Sequence, residues 1–240
     1  MSETPRTPDD ELNALPNGAR VAVVSLMGSL CPTTLGHVQC FEAARRLLVD
    51  GKPPTPAGRF DYCIGLISLN DDEYLASKFA SSGEKPLNLD DRVTLINLAT
   101  AEFPWIEYIE APLFDTVSSA ETIDAFRARW PSFVFEHFNM NGSDDVLKYL
   151  KWVDACPTNR FITMLRPGSS GVMAQNLHAF GMPPEGTADF ILGPELPDIS
   201  STAARRLSRA GDRTNLMKLT HPDVADWLID RDKAASSRSS

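Results

Sequence analysis

The chain has 240 residues, of which 42% are hydrophobic, enough to bury roughly 70% of the surface that its unfolded form exposes and to build one α/β domain with appendages. A net charge of −9 and an isoelectric point near 4.9 work against nonspecific attraction to nucleic acid or to an anionic membrane, so any phosphate site has to be built locally from placed cations. Cys31, Cys40, Cys63 and Cys156 form no CxxC pair and no zinc-type spacing with the four histidines, and read as reduced thiols.

Residues 1–18 are polar, acidic and proline-containing, with no apolar h-region. They are expected to be a mobile segment, followed by a single domain over 19–230 and a mobile tail over 231–240. No apolar run approaches the roughly 20 residues of a membrane span, which makes a soluble cytoplasmic or nuclear protein the expectation. Arg20 to Met27, RVAVVSLM, is a Val-rich buried strand. It enters a loop with Gly28, Ser29 and Pro32, and Val38, Phe41, Ala44, Leu47 and Leu48 then recur at helical spacing. A proline-rich connection leads to the strand FDYCIGLISL (60–69). A helix from about Leu89 to Ala101, with Val93, Ile96 and Ala99 on a shared side, a strand WIEYIE (105–110) and a helix over Ala120–Arg129 follow.

FVFEHFNM (133–140) is the next strand and ends in the turn NGSDD; RFITML (160–165) is another. The Gly- and Pro-rich stretch 166–186 reads as a long surface loop, DFILG (189–193) closes the sheet, and helices cover 202–211 and the stretch from Thr220 through Trp227. Strands alternating with helices predict an α/β fold with an open, doubly wound, mostly parallel sheet, in which ligands sit beyond the carboxyl ends of the strands.

Two strand-to-helix junctions carry chemistry. Gly28-Ser29-Leu30-Cys31-Pro32-Thr33-Thr34-Leu35-Gly36-His37 combines a glycine for close backbone approach, the hydroxyls of Ser29 and Thr34, a helix N-terminus and an imidazole one turn in, which together suit a phosphate. Ile199-Ser200-Ser201-Thr202-Ala203-Ala204-Arg205 places Ser200 and Thr202 for capping and phosphate contact, and Arg205 for forked binding of two phosphate oxygens. Taken singly, the first segment favours phosphate binding over a capping threonine followed by a half-buried histidine, whereas the second is at least as well a capped helix with a basic face.

GSLCPTTLGH resembles the GxFxPxHxGH signature of the nucleotidyltransferase superfamily in its eukaryote-like form, with Thr34 in place of the first histidine and His37 as the second. ISSTAAR resembles the same superfamily's ISSTxxR signature. From about Val21 to Trp227 the chain is similar, with gaps, to the nicotinamide/nicotinate mononucleotide adenylyltransferases. The resemblance implies a Rossmann-like nucleotidyltransferase fold and the transfer of AMP from ATP to nicotinamide or nicotinate mononucleotide, giving NAD or its deamido form and pyrophosphate. His37 and Arg205 would act on the phosphates in catalysis. Gly28, Ser29, Thr34, Gly142, Asp144, Ser200 and Thr202 would line the ATP side. Ser29, Lys78, Thr122, Trp152 and Arg166 would line the mononucleotide side, with Trp152 stacking on the nicotinamide ring. Mg²⁺ would ride on the ATP phosphates with no protein metal ligands.

The sequence departs from the family pattern at Leu30, where a phenylalanine is usual, at Ser119, where a second stacking tryptophan would stand, and in the displaced position of Lys78. Nucleic acid and membranes are not expected as partners, and a homo-oligomer is compatible with the sequence. Two alternatives stay open: adenylyl or cytidylyl transfer to another phosphorylated acceptor, and a nucleotide-binding relative that does not turn over.

Overall fold

The computed structural model describes residues 9–52, 54–110 and 116–237, with the side chains of 116–119 and 235–236 left aside. The described residues fall into two compact units, between which the chain passes several times. A sheet unit comprises the chain to Met27, Cys40–Ser68 and Pro104–Pro197. A helical unit comprises Gly28–Gln39, Leu69–Phe103 and the chain from Asp198.

In chain order the elements are α1 (Asp9–Asn13), β1 (Arg20–Gly28), α2 (Leu35–Arg45), β2 (Tyr62–Leu69), α3 (Asp72–Phe79), α4 (Leu89–Thr100), β3 (Ile106–Tyr108), α5 (Thr116–Arg129), β4 (Val134–Gly142), α6 (Ser143–Tyr149), β5 (Arg160–Leu165), α7 (Ser170–Ala179), β6 (Phe190–Glu195), α8 (Ser201–Arg209), α9 (Arg213–Leu216) and α10 (Pro222–Ser237). The strands form one all-parallel sheet in the order β3-β2-β1-β4-β5-β6. The order reverses between β1 and β4, which pair in parallel from Arg20↔Val134 to Ser25↔Asn139. Such a switch point is where open α/β sheets receive ligands, beyond the carboxyl ends of the strands.

The central strands are apolar without alternation because both faces are covered. In β1, Val21 to Val24 are fully buried, and in β2 every residue from Tyr62 to Ser68 is buried. Gly65 is required there: a Cβ at that position would lie 2.8 Å from the Phe41 ring, so its absence lets α2 pack directly on the strand. The helical unit has its own core, in which Leu75 of α3, Leu95 of α4, Ala204 of α8 and Val224 and Leu228 of α10 meet. No helix among the described residues is long and apolar enough to cross a membrane.

Four expectations are corrected. The segment 166–186 is not a loop throughout: α7 occupies Ser170–Ala179 and buries Met173 and Leu177, an i,i+4 pair. The glycines that argued for a loop punctuate the helix, Gly168 (φ 79°) before it and Gly181 (φ 81°) after it. Within the stretch expected to be mobile, Asp9–Asn13 is helical and Leu12 is fully buried. The last helix does not stop at Trp227 but runs to Ser237, held by Ser208 donating to Asp232 at 2.6 Å and by an Arg231–Asp91 pair at 3.4 Å. Finally, the NGSDD turn is a direct passage from β4 into α6, with Gly142 as the residue before the helix.

Candidate functional site

The helical unit contains both signature segments, and they are fastened to each other. Gly36 sits where an added Cβ would meet Ile199 Cβ at 3.2 Å and the Ile199 carbonyl at 3.4 Å, so glycine allows the two segments to abut. Ser201 Oγ donates to the Pro32 carbonyl at 2.8 Å, and Arg205 Nη1 donates to the Cys31 carbonyl at 2.7 Å. Ser200 caps α8 by accepting from the Ala203 N–H at 3.1 Å. Gly28 closes β1, and its carbonyl accepts from the Asn70 N–H at 3.1 Å.

His37 is oriented by its own turn. The Thr34 N–H donates to His37 Nδ1 at 2.9 Å, and Thr34 Oγ1 lies 3.0 Å from the same nitrogen. A backbone donor needs a lone pair on Nδ1, which puts the ring proton on Nε2 and makes that nitrogen a donor. Thr34, proposed from the sequence as a phosphate contact, is buried and turned to the imidazole. The Leu35 N–H at the start of α2 is spent on the Leu219 carbonyl at 2.8 Å, so the helix start offers an anion less than its position implied.

Ser29 is held from three sides. Its hydroxyl receives Lys78 Nζ at 3.0 Å and Asn70 Nδ2 at 3.5 Å, and its carbonyl receives Arg92 Nη1 at 3.2 Å. Lys78, despite its displacement from the family spacing, therefore reaches the first loop. Arg92 is fully buried; it also donates to the Asn70 carbonyl at 2.8 Å and to Asp72 Oδ1 at 2.7 Å, locking the first loop to the entry of α3.

Arg205 is fully engaged along one side. Nε donates to Glu84 Oε2 at 2.7 Å, Nη2 to Thr202 Oγ1 at 3.2 Å, and its carbon lies 4.6 Å from the Phe79 ring centroid. Glu84 also accepts from Arg209 at 2.9 Å. Arg209 and Arg205 together hold the Glu84 carboxyl at about 2, well below the usual carboxylate range, so it stays charged through the working range of pH.

The remaining sequence-derived residues belong to the sheet unit. Gly142 ends β4, and a Cβ there would lie 2.6 Å from Asp144 Oδ1. Asp144 faces Arg166 Nε at 3.6 Å, both well exposed. The buried Ser143 hydroxyl lies 2.9 Å from Ser169 Oγ and accepts from the Arg166 N–H at 3.0 Å, tying the start of α6 to the turn after β5. Trp152 is 4% exposed and packs edge-on to Phe190, centroids 6.3 Å apart, within a core of Val146, Phe161, Met173 and Leu177. Thr122 lies in the second turn of α5, not at its start, because that helix begins at Thr116; the side chain of Ser119 lies outside those described.

Three residues escaped the sequence reading. Ser201 stood inside a recognised segment but between the two hydroxyls assigned to phosphate. Arg92 left a signal that went unused: it falls in phase with Leu95, Ile96 and Ala99 on the buried stripe of α4, whereas Val93 is only half-buried. Glu84 left none, since a single acid in the polar stretch 80–88 looks like a solvated turn.

No family model and no curated protein matches the chain. Solved structures do. The Plasmodium falciparum nicotinic acid mononucleotide adenylyltransferase complexed with APC matches over 89% of this chain and 96% of its own, with a TM-score of 0.58 at 14% identity. The same enzyme complexed with NaAD matches over 88% and 96%, with a TM-score of 0.55 at 15% identity. At these identities the likeness is one of fold, and the chain has the Rossmann-like fold of those nucleotidyltransferases.

Proposed function

We propose that this protein is a nucleotidyltransferase that moves AMP from ATP to nicotinate or nicotinamide mononucleotide. The 5′-phosphate oxygen of the mononucleotide attacks the α-phosphorus of ATP, a new P–O–P bridge forms, the α–β bridging P–O bond breaks, and pyrophosphate carries away the electron pair. No covalent intermediate on the protein is required, and the Ser29 hydroxyl, which receives Lys78 and Asn70, is placed to bind a phosphate oxygen.

The observation that carries the reading is the fastening of the two signature segments through Gly36 and Ile199, Ser201 and Pro32, and Arg205 and Cys31. It ties the Arg205 guanidinium to the Cys31 carbonyl, in the loop whose Thr34 orients the His37 imidazole. His37 would donate from Nε2 to a phosphate oxygen, and Arg205 would bind two oxygens with its fork. Lys78 would add positive charge at Ser29. Rate would come from aligning two anions and stabilising the charge that grows on pyrophosphate. Magnesium would enter as part of the substrate, MgATP.

One observation favours a second reading. Trp152 is enclosed by Phe190 and its neighbours and has little face left for a nicotinamide ring, which supports adenylyl or cytidylyl transfer to another phosphorylated acceptor. Pyrophosphate release with MgATP or MgCTP and a panel of nicotinate mononucleotide, nicotinamide mononucleotide, phosphopantetheine and phosphocholine tests both. Release with ATP and a pyridine mononucleotide supports the first reading, release only with another acceptor supports the second, and no release with any of them contradicts both.

A further inference from the structure

Glu84 lies in the irregular stretch between α3 and α4, outside both signature segments, yet it is the carboxylate on which Arg205 rests. A guanidinium has five N–H donors. In Arg205 one is spent on Glu84 through Nε, one on the Cys31 carbonyl through Nη1 and one on Thr202 through Nη2, while the flat face lies against Phe79. What is left is one donor on each terminal nitrogen, the number that forked binding of two oxygens of one phosphate requires. The second oxygen of Glu84 is anchored by Arg209, so the carboxylate cannot swing freely.

We propose that Glu84 is a positioning residue for Arg205, fixing the guanidinium so that its distal edge meets the triphosphate without reorganisation during the reaction. The assignment rests on the nucleotidyltransferase reading above. A carboxylate beside a phosphate-binding arginine also repels the nucleotide. Glu84 therefore lowers the affinity for ground-state ATP while improving alignment, and a purely structural role would not divide the two effects in this way.

The test is Glu84→Ala, Glu84→Gln and, as a control, Arg206→Ala on the exposed side of α8, each assayed for kcat by pyrophosphate release and for ATP affinity by calorimetry. Glu84→Ala is expected to lower kcat about 10-fold or more while ATP binds as tightly as to the wild type or a few-fold tighter. Glu84→Gln, which keeps an accepting oxygen for Arg205 Nε and folds even if the alanine variant does not, is expected to recover most of the lost turnover, and Arg206→Ala to match the wild type. Unchanged kcat in both Glu84 variants, or a loss confined to ATP affinity, would overturn the assignment and leave the transferase reading standing. Absence of release by the wild-type protein with every acceptor would overturn the transferase reading and this assignment with it.

Discussion

Two turns in this molecule pair an arginine with an acid beside a helix start, and they are built differently. In the helical unit Arg92 is sealed from solvent and donates to the Ser29 and Asn70 carbonyls and to Asp72, and Arg205 rests on Glu84, Cys31 and Phe79. In the sheet unit Arg166 and Asp144 face each other at 3.6 Å with 46% and 68% of their side chains exposed, and the turn is closed instead by the hydroxyls of Ser143 and Ser169. Cations in the first turn are held before any ligand arrives, whereas Arg166 and Asp144 in the second meet where both side chains are largely open to water. Preorganised charge belongs where charge develops in a reaction, and an exposed pair contributes little to either stability or alignment.

Substitutions sharpen the contrast. The largest effect on folding is expected from Trp152→Ala, which empties the core beside Phe190 and should cost about 3–5 kcal/mol in urea unfolding. If Trp152 served only as a ligand platform, stability would be unchanged. Arg92→Met fills the same space but leaves two carbonyls and Asp72 without their donor, and should lower stability by about 2–4 kcal/mol by the same measurement. A loss below 1 kcal/mol would show that water replaces the guanidinium and would weaken the distinction between the two turns.

A pH effect comes next. Burial holds the half-buried His137 at about 4, below its ordinary 6.5, with Ser25 Oγ 2.7 Å from its Nε2. The unfolded chain therefore takes up a proton that the folded chain refuses, so stability is full above pH 6.5 and falls as pH drops from 6.5 toward 4. The loss should be on the order of 3 kcal/mol and should disappear in His137→Gln, as read from thermal unfolding across that range. The smallest effect belongs to Asp144→Ala, which removes a 68% exposed carboxylate and is expected to change stability by less than about 1 kcal/mol; a larger loss would mean that the sheet-unit turn is as preorganised as the other.

Much of this was readable in the residues themselves. The Val-rich run of β1 and the buried run of β2 announced parallel strands, and the decapeptide ending in His37 and the heptapeptide ending in Arg205 marked the two helix starts that the fold fastens together. Local composition failed where tertiary packing decides: Gly168 and Gly181 looked like loop residues and are the ends of α7, and Leu12 looked like part of a polar leader and is buried. The phase of α4 was misread because a buried arginine was not admitted to an apolar stripe. Thr34 was read as a ligand for phosphate, whereas the structure turns it to His37 Nδ1, a role that only the three-residue turn geometry reveals. Glu84 could not be found at all without the fold, since its two partners lie more than a hundred residues away.

The central claim is that His37 and Arg205 act on one triphosphate. A double-mutant cycle on pyrophosphate release, with His37→Ala, Arg205→Lys and the pair, tests it most directly. His37→Ala should lower turnover on the order of 10²- to 10⁴-fold, and the double variant should fall short of the summed single losses by about 0.5–3 kcal/mol, the coupling expected of groups that share a ligand. Strict additivity of the two losses would mean that the imidazole and the guanidinium work on separate ligands, and would contradict the account.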